Sequence, residues 1–194
     1  MKDKLNAVES ANASISSLAV MGESCQAEGV YTFKCFEYEG GPLLWEDTVH
    51  NVVATVGKNL MLQTALTGSA YTVVGPYMGL ISSVSYTTGP VAGDTMASHS
   101  GWTEAGTTNA PTFSARVAPS FGTASAGAIS TASAVTFTMT STGTLKGAFI
   151  VYGTGAVTTI LSTAGTLLSA GLFTGGDQPV NTGNVVQVTY SLSL

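Results

Sequence analysis

The sequence predicts an all-β protein: an antiparallel β-sandwich or jelly-roll-like domain with one short helix and an N-terminal extended arm. Three observations carry this prediction. Apolar residues recur at every second position in several short runs, breaks rich in Gly, Ser and Thr separate those runs, and a single stretch has convincing helical spacing. Strands of this kind must bury one face, and two packed sheets are the economical way to do so. A chain of 194 residues can bury about 70% of its unfolded surface, so one domain suffices. The expected division is an arm over residues 1–27 and a β-sandwich domain over residues 28–194.

In the arm, Leu5, Val8, Ile15, Leu18 and Met21 are apolar and loosely helical in spacing, but Asn6, Asn12 and several Ser and Gly residues weaken a free-standing helix. These five side chains are the candidate contacts to a partner surface. From Gly29 the pattern changes, since Tyr31, Phe33 and Cys35 alternate with Thr32 and Lys34. Glu39-Gly40-Gly41-Pro42 then breaks the run before Leu43, Trp45 and Val49, which reads as a hairpin. Thr55 is placed to cap a short helix over residues 56–67, with Val56, Leu60, Leu62, Ala65 and Leu66 as its buried face and Gly68 as its end.

Strands follow over residues 77–83, 134–140, 145–152, 166–173 and 185–194. The last puts Val186, Val188, Tyr190, Leu192 and Leu194 on one face and Gln187, Thr189, Ser191 and Ser193 on the other, as a half-buried strand requires. Residues 145–152 are apolar on both faces, which predicts a central strand covered on each side. Residues 119–133 are small and polar and read as a surface loop or edge excursion. No internal repeat of fixed period is present.

Charge restricts function. Only 9% of residues are charged, and the net charge of -5 is uneven: residues 1–47 hold eight acids and three bases, residues 48–194 three of each. Lys58, Arg116 and Lys146 are far apart in sequence, so the clustered cations of a nucleic-acid surface are missing, and no nucleic-acid partner is expected. The apolar stretch near Leu18 is too short for a signal peptide and no run reaches transmembrane length, so no membrane partner is expected. Cys25 and Cys35 lack a metal or redox spacing and read as two free thiols of a protein made in a reducing cytoplasm.

The search for chemistry is short because the chain has two histidines, His50 and His99. Asp94, Ser98 and His99 are the residue types of a hydrolase triad, but neighbours in one turn do not converge as a triad must. The ordinary reading is that Asp94 or Thr95 caps a short turn carrying His99. Adjacent Glu46 and Asp47 on a strand point to opposite faces, not to one bond. Gly57-Lys58 lacks the first glycine and the hydroxyl of a phosphate loop, and Gly153-Thr154-Gly155 has Thr158 where a dinucleotide fingerprint needs its third glycine. Trp45 and Trp102 read as packing anchors. No catalytic residue, metal ligand or cofactor is expected, and the protein is read as a non-enzyme.

Several stretches resemble a family of tailed-bacteriophage virion proteins described as head cement (decoration) or tail-fibre-like proteins. The likeness covers most of residues 28–194. It is carried by Gly29-Val30-Tyr31-Thr32-Phe33, Trp45-Glu46-Asp47-Thr48-Val49-His50-Asn51, Thr55-Val56-Gly57-Lys58-Asn59, Gly68-Ser69-Ala70-Tyr71, Met78-Gly79-Leu80-Ile81, Asp94-Thr95-Met96-Ala97-Ser98-His99 and the closing Val188-Thr189-Tyr190-Ser191-Leu192-Ser193-Leu194. The resemblance implies a structural subunit on the outer surface of the phage head, assembled in the host cytoplasm. Its implied partners are the major capsid protein and copies of itself in a homotrimer. The alternative it leaves is a tail-fibre or receptor-binding role through the loops at 83–94 and 119–133.

Overall fold

The computed structural model of the chain describes residues 27–67 and 74–194. In chain order the strands are β1 (Glu28–Phe36), β2 (Leu43–Val53), β3 (Tyr77–Ser82), β4 (Thr103–Glu104), β5 (Ala128–Ser130), β6 (Val135–Thr138), β7 (Gly143–Tyr152), β8 (Thr166–Leu172), β9 (Gln178–Val180) and β10 (Val185–Ser193). The helix α1 (Thr55–Leu66) lies between β2 and β3. The fold is an all-β antiparallel sandwich, as the alternation predicted.

The hairpin forms where its pattern placed it. Tyr31, Phe33 and Cys35 are fully buried along β1, and β2 returns antiparallel with Thr32 opposite Thr48. The turn closes through the Glu37 amide on the Pro42 carbonyl at 3.0 Å and the Gly41 amide on the Tyr38 carbonyl at 2.9 Å. Gly40 supplies the left-handed corner at φ +73°. β10 pairs with the other side of β1 along its whole length, and β5 and β6 follow one another along the far side of β10. β5 and its flanks are the edge excursion expected of residues 119–133.

β2 joins the two layers. Its first part belongs with β1, while Val52 and Val53 pair with Ala170 and Ser169 of β8. The full order is β4-β3-β7-β8-β2-β1-β10-β5, with β6 beside β10 and β9 beside β7. The inner faces of β1, β2 and β10 meet those of β3, β7 and β8 in one core that contains Tyr31, Phe33, Val49, Leu80, Ile150, Val188 and Tyr190. A second core on the opposite face of β3, β7 and β8 gathers Ile81, Phe149, Val151, Leu167 and Ala170 under Trp102 and Met96. Central β7 is therefore covered on both sides and paired on both edges. On β10, Val186, Val188, Tyr190 and Leu192 are buried and Thr189 and Ser193 exposed, but Leu194 stays 61% exposed past the strand end.

The helix corrects the expectation. It starts at Thr55, and Ala54 precedes it in extended conformation without a side-chain cap. Its predicted apolar face is not buried: Leu62 is 58% and Leu66 78% exposed, Ala65 is also exposed, and Val56 and Leu60 are only half covered. Gly57 is the one buried residue. A Cβ there would stand 2.9 Å from the Leu167 carbonyl oxygen and from the Leu168 Cα. The missing side chain lets the first turn touch the β8 backbone, Met61 packs against the main core, and residues 62–66 are exposed. Periodicity located the helix, but a glycine contact decided its docking.

Gly57→Val should therefore cost about 1–3 kcal/mol through overpacking against β8. Leu66→Ser should change stability by less than about 0.5 kcal/mol. Urea denaturation of the two variants checks both; equal losses would contradict this docking.

Candidate functional site

The five arm residues Leu5, Val8, Ile15, Leu18 and Met21, together with Cys25, lie outside the described residues. Ala27, assigned to the arm, packs against the main core, and β1 begins at the next residue.

The residue types singled out for chemistry are placed in structural roles. His99 shares its Nδ1 with the Thr95 carbonyl at 3.0 Å, and a carbonyl can only accept, so Nδ1 carries the proton. Asp94 does not face the histidine. Its Oδ2 accepts the Trp102 indole N–H at 2.9 Å and the Val91 amide at 3.0 Å. Ser98 donates its amide to the Thr95 hydroxyl, so the three residues build a turn and no relay. The His99 ring lies 4.1 Å from that of Trp102, which in turn packs on Phe149 at 5.4 Å. Trp45 donates to the Pro179 carbonyl at 3.1 Å and packs edge-on against Phe173. Both indoles anchor packing. His50 pairs with Glu28 at 2.8 Å on the open surface.

Glu46 and Asp47 point apart, as strand geometry requires, but Asp47 is not simply a solvated charge. It accepts the Thr174 amide and hydroxyl and the Gly175 amide, tying the loop after β8 to β2. Gly57-Lys58 sits in the helix, and Gly153 and Gly155 are left-handed turn corners at φ +87° and +84°. Among the described residues, no group of three His, Cys, Asp or Glu is close enough to hold a metal ion, and no helix is long and apolar enough to cross a membrane.

Sequence reasoning missed the most demanding charge arrangement in the fold. Glu104 on β4 and Arg116 are 3% and 2% exposed. They form a two-pronged pair, Nε to Oε1 at 2.8 Å and Nη2 to Oε2 at 2.7 Å. The guanidinium also donates to the Ser162 carbonyl at 2.8 Å and the Val157 carbonyl at 3.3 Å, and its face lies 5.3 Å from the Phe149 ring. Glu104 Oε2 accepts the Leu161 amide at 2.6 Å, which holds Leu161 at φ +62°. A hollow of about 110 Å³ lined by Met96, His99, Thr103, Glu104, Leu161 and Ser162 opens beside the pair. Small-molecule sites usually run roughly 300–1,000 Å³, and the carboxylate here is already spent on Arg116 and Leu161.

Further buried polar groups lie between the layers. The Tyr31 hydroxyl meets Ser169 Oγ at 2.7 Å across the two layers. Burial raises the Tyr31 phenol well above its usual range, with a further push from Tyr190, and burial raises Tyr190 too. Cys35 is pushed up to about 11 by burial, so it is a protonated packing residue and a poor nucleophile near neutrality.

Charge on the body is almost used up. Of the six charged residues after position 47, Glu104 and Arg116 pair internally. Lys146 and Asp177 pair at 2.5 Å with Lys146 over the Tyr86 ring, and Asp94 serves Trp102. Lys58 is left exposed on the helix. The exposed surface beyond residue 47 is thus nearly free of charge while it displays Leu62, Leu66, Val84, Val91, Val157 and Leu161. Interface centres are depleted of Lys, Glu and Asp in the same way.

Arg116→Met should destabilise the fold by about 3–5 kcal/mol, because it strands a buried carboxylate. Pairing it with Glu104→Leu should recover much of that loss. A denaturation cycle over the four proteins checks this, and additive losses would contradict the pairing. Compared with known proteins, the chain matches no family model, no curated protein and no solved structure.

Proposed function

We propose that the chain is a tailed-phage head cement or decoration protein, a non-enzymatic subunit that stabilises the capsid by bridging neighbouring copies of the major capsid protein. The observation that carries this reading is the nearly uncharged, partly apolar surface of the β-sandwich beyond residue 47. Such a surface loses little on desolvation when another protein covers it, and it gives packaged nucleic acid nothing to grip. The sequence resemblance to virion proteins supports the particle. In this reading the protein assembles in the host cytoplasm, forms a homotrimer on the outer face of the head, and uses Leu5, Val8, Ile15, Leu18 and Met21 to bury apolar surface against the capsid or a neighbouring subunit.

The exposed Val84 and Val91 in the 83–94 loop favour a second reading, a tail-fibre or receptor-binding module that presents this loop outward.

Antibody labelling of intact particles separates the two. Label distributed over the head is the expected result, and label confined to the tail would replace the first reading with the second. Deleting residues 1–26 should abolish head decoration and leave the β-domain's melting transition in place; unchanged occupancy would remove the arm from the account.

A further inference from the structure

At the tip of the β1–β2 hairpin, exposed apolar and acidic groups come together. Tyr38, Leu43 and Leu44 are 57%, 48% and 49% exposed, and Glu37, Glu39 and Glu46 are exposed beside them. The patch adjoins an open edge: away from β1, β2 pairs with β8 only at Val52 and Val53. Among the described residues no strand pairs with that side of residues 43–51, where the side chains of Asp47 and Trp45 hold the Thr174–Gly175 loop and the Pro179 carbonyl. Unpaired edges next to apolar side chains are where proteins accept an added segment.

The chain itself contains a segment of matching chemistry. Lys146 and Arg116 are committed to Asp177 and Glu104, Lys34 lies 4.0 Å from Glu46, and Lys58 is exposed on the helix. The remaining two bases, Lys2 and Lys4, flank Asp3 and are followed by Leu5 and Val8, so the side chains of residues 2–8 keep a net positive charge. In an extended segment, residues two apart share a face. The chain from Lys4 to Ala27 can span up to about 80 Å. The hairpin turn is only about 30 Å along β1 from the point where that chain joins the domain. The segment is long enough to pass its own domain and reach a neighbour.

We propose that residues 2–8 of one copy dock on the hairpin tip and open β2 edge of a second copy. Lys2 and Lys4 face Glu37, Glu39 and Glu46, and Leu5 and Val8 cover Leu43 and Leu44. The proposal rests on the homo-oligomer reading above and names its contact surface; it does not depend on what the oligomer decorates.

Charge reversal in the full-length chain tests it. One variant carries Lys2→Glu and Lys4→Glu, the other Glu37→Lys and Glu39→Lys, all outside the core. Sedimentation velocity should show wild-type self-association and, for each variant alone, association at least about tenfold weaker. An equimolar mixture should regain part of it, because in a mixed trimer two of the three arm–tip contacts then bring opposite charges together. A mixture that stays dissociated, as it would if each arm folded onto its own domain, overturns the proposal. So does a wild-type oligomer indifferent to both reversals, which would leave the homo-oligomer reading standing. A monomeric wild type would overturn both.

Discussion

The buried pairing of Glu104 with Arg116 is the constraint on which the second layer depends. β3 would otherwise end the sheet as an open edge. The chain from β4 to Val117 covers it, with the Ala105 amide on the Leu80 carbonyl at 2.8 Å and reciprocal bonds between Met78 and Val117 at 2.8 and 3.0 Å. Little regular structure holds that cover in place. Arg116 does so from within, since one guanidinium grips Glu104 on one side and the carbonyls of Val157 and Ser162 on the other. Glu104 completes the circuit through the Leu161 amide. Three irregular segments are thereby fastened to one point above Phe149. Desolvating two charges is expensive, and such a pair is worth having mainly because breaking it is worse; its product is a fixed arrangement of loops.

Spending charge inside has a consequence outside. A chain with so few ionisable groups that pairs four of the six in its main body is left with a surface of hydroxyls, backbone and scattered aliphatic side chains. In the proposed role, such a surface loses little on desolvation when another protein covers it. Among the described residues, Glu37, Glu39 and Glu46 are exposed around the β1–β2 hairpin, where exposed leucines accompany them. The described domain therefore has two kinds of surface, a nearly neutral body and an acidic, apolar hairpin tip.

Much of the fold was legible from period two. β10 and the β1–β2 hairpin declared themselves because their sides differ in polarity, and β7 declared itself because its sides do not. The helix was legible in place but not in orientation, because its docking depends on the absence of a side chain at Gly57, which an apolar face count ignores. Arg116 was invisible for a related reason. It lies in an irregular segment twelve residues from its partner, so no spacing rule links them. The available signal was weaker: Glu104 and Arg116 each stand between small or apolar neighbours in a stretch almost devoid of charge, where an isolated ion has reason to be buried and matched. The candidate contacts in the arm were named from composition, and they lie outside the described residues.

Native-state hydrogen exchange addresses the fastening role most directly. If the ion pair holds the irregular segments to the sheet, the amides of Ala105, Val117 and Leu161 should open together, with protection close to that of central β7. Exchange of these three at loop-like rates, independently of one another and while β7 stays protected, would contradict it.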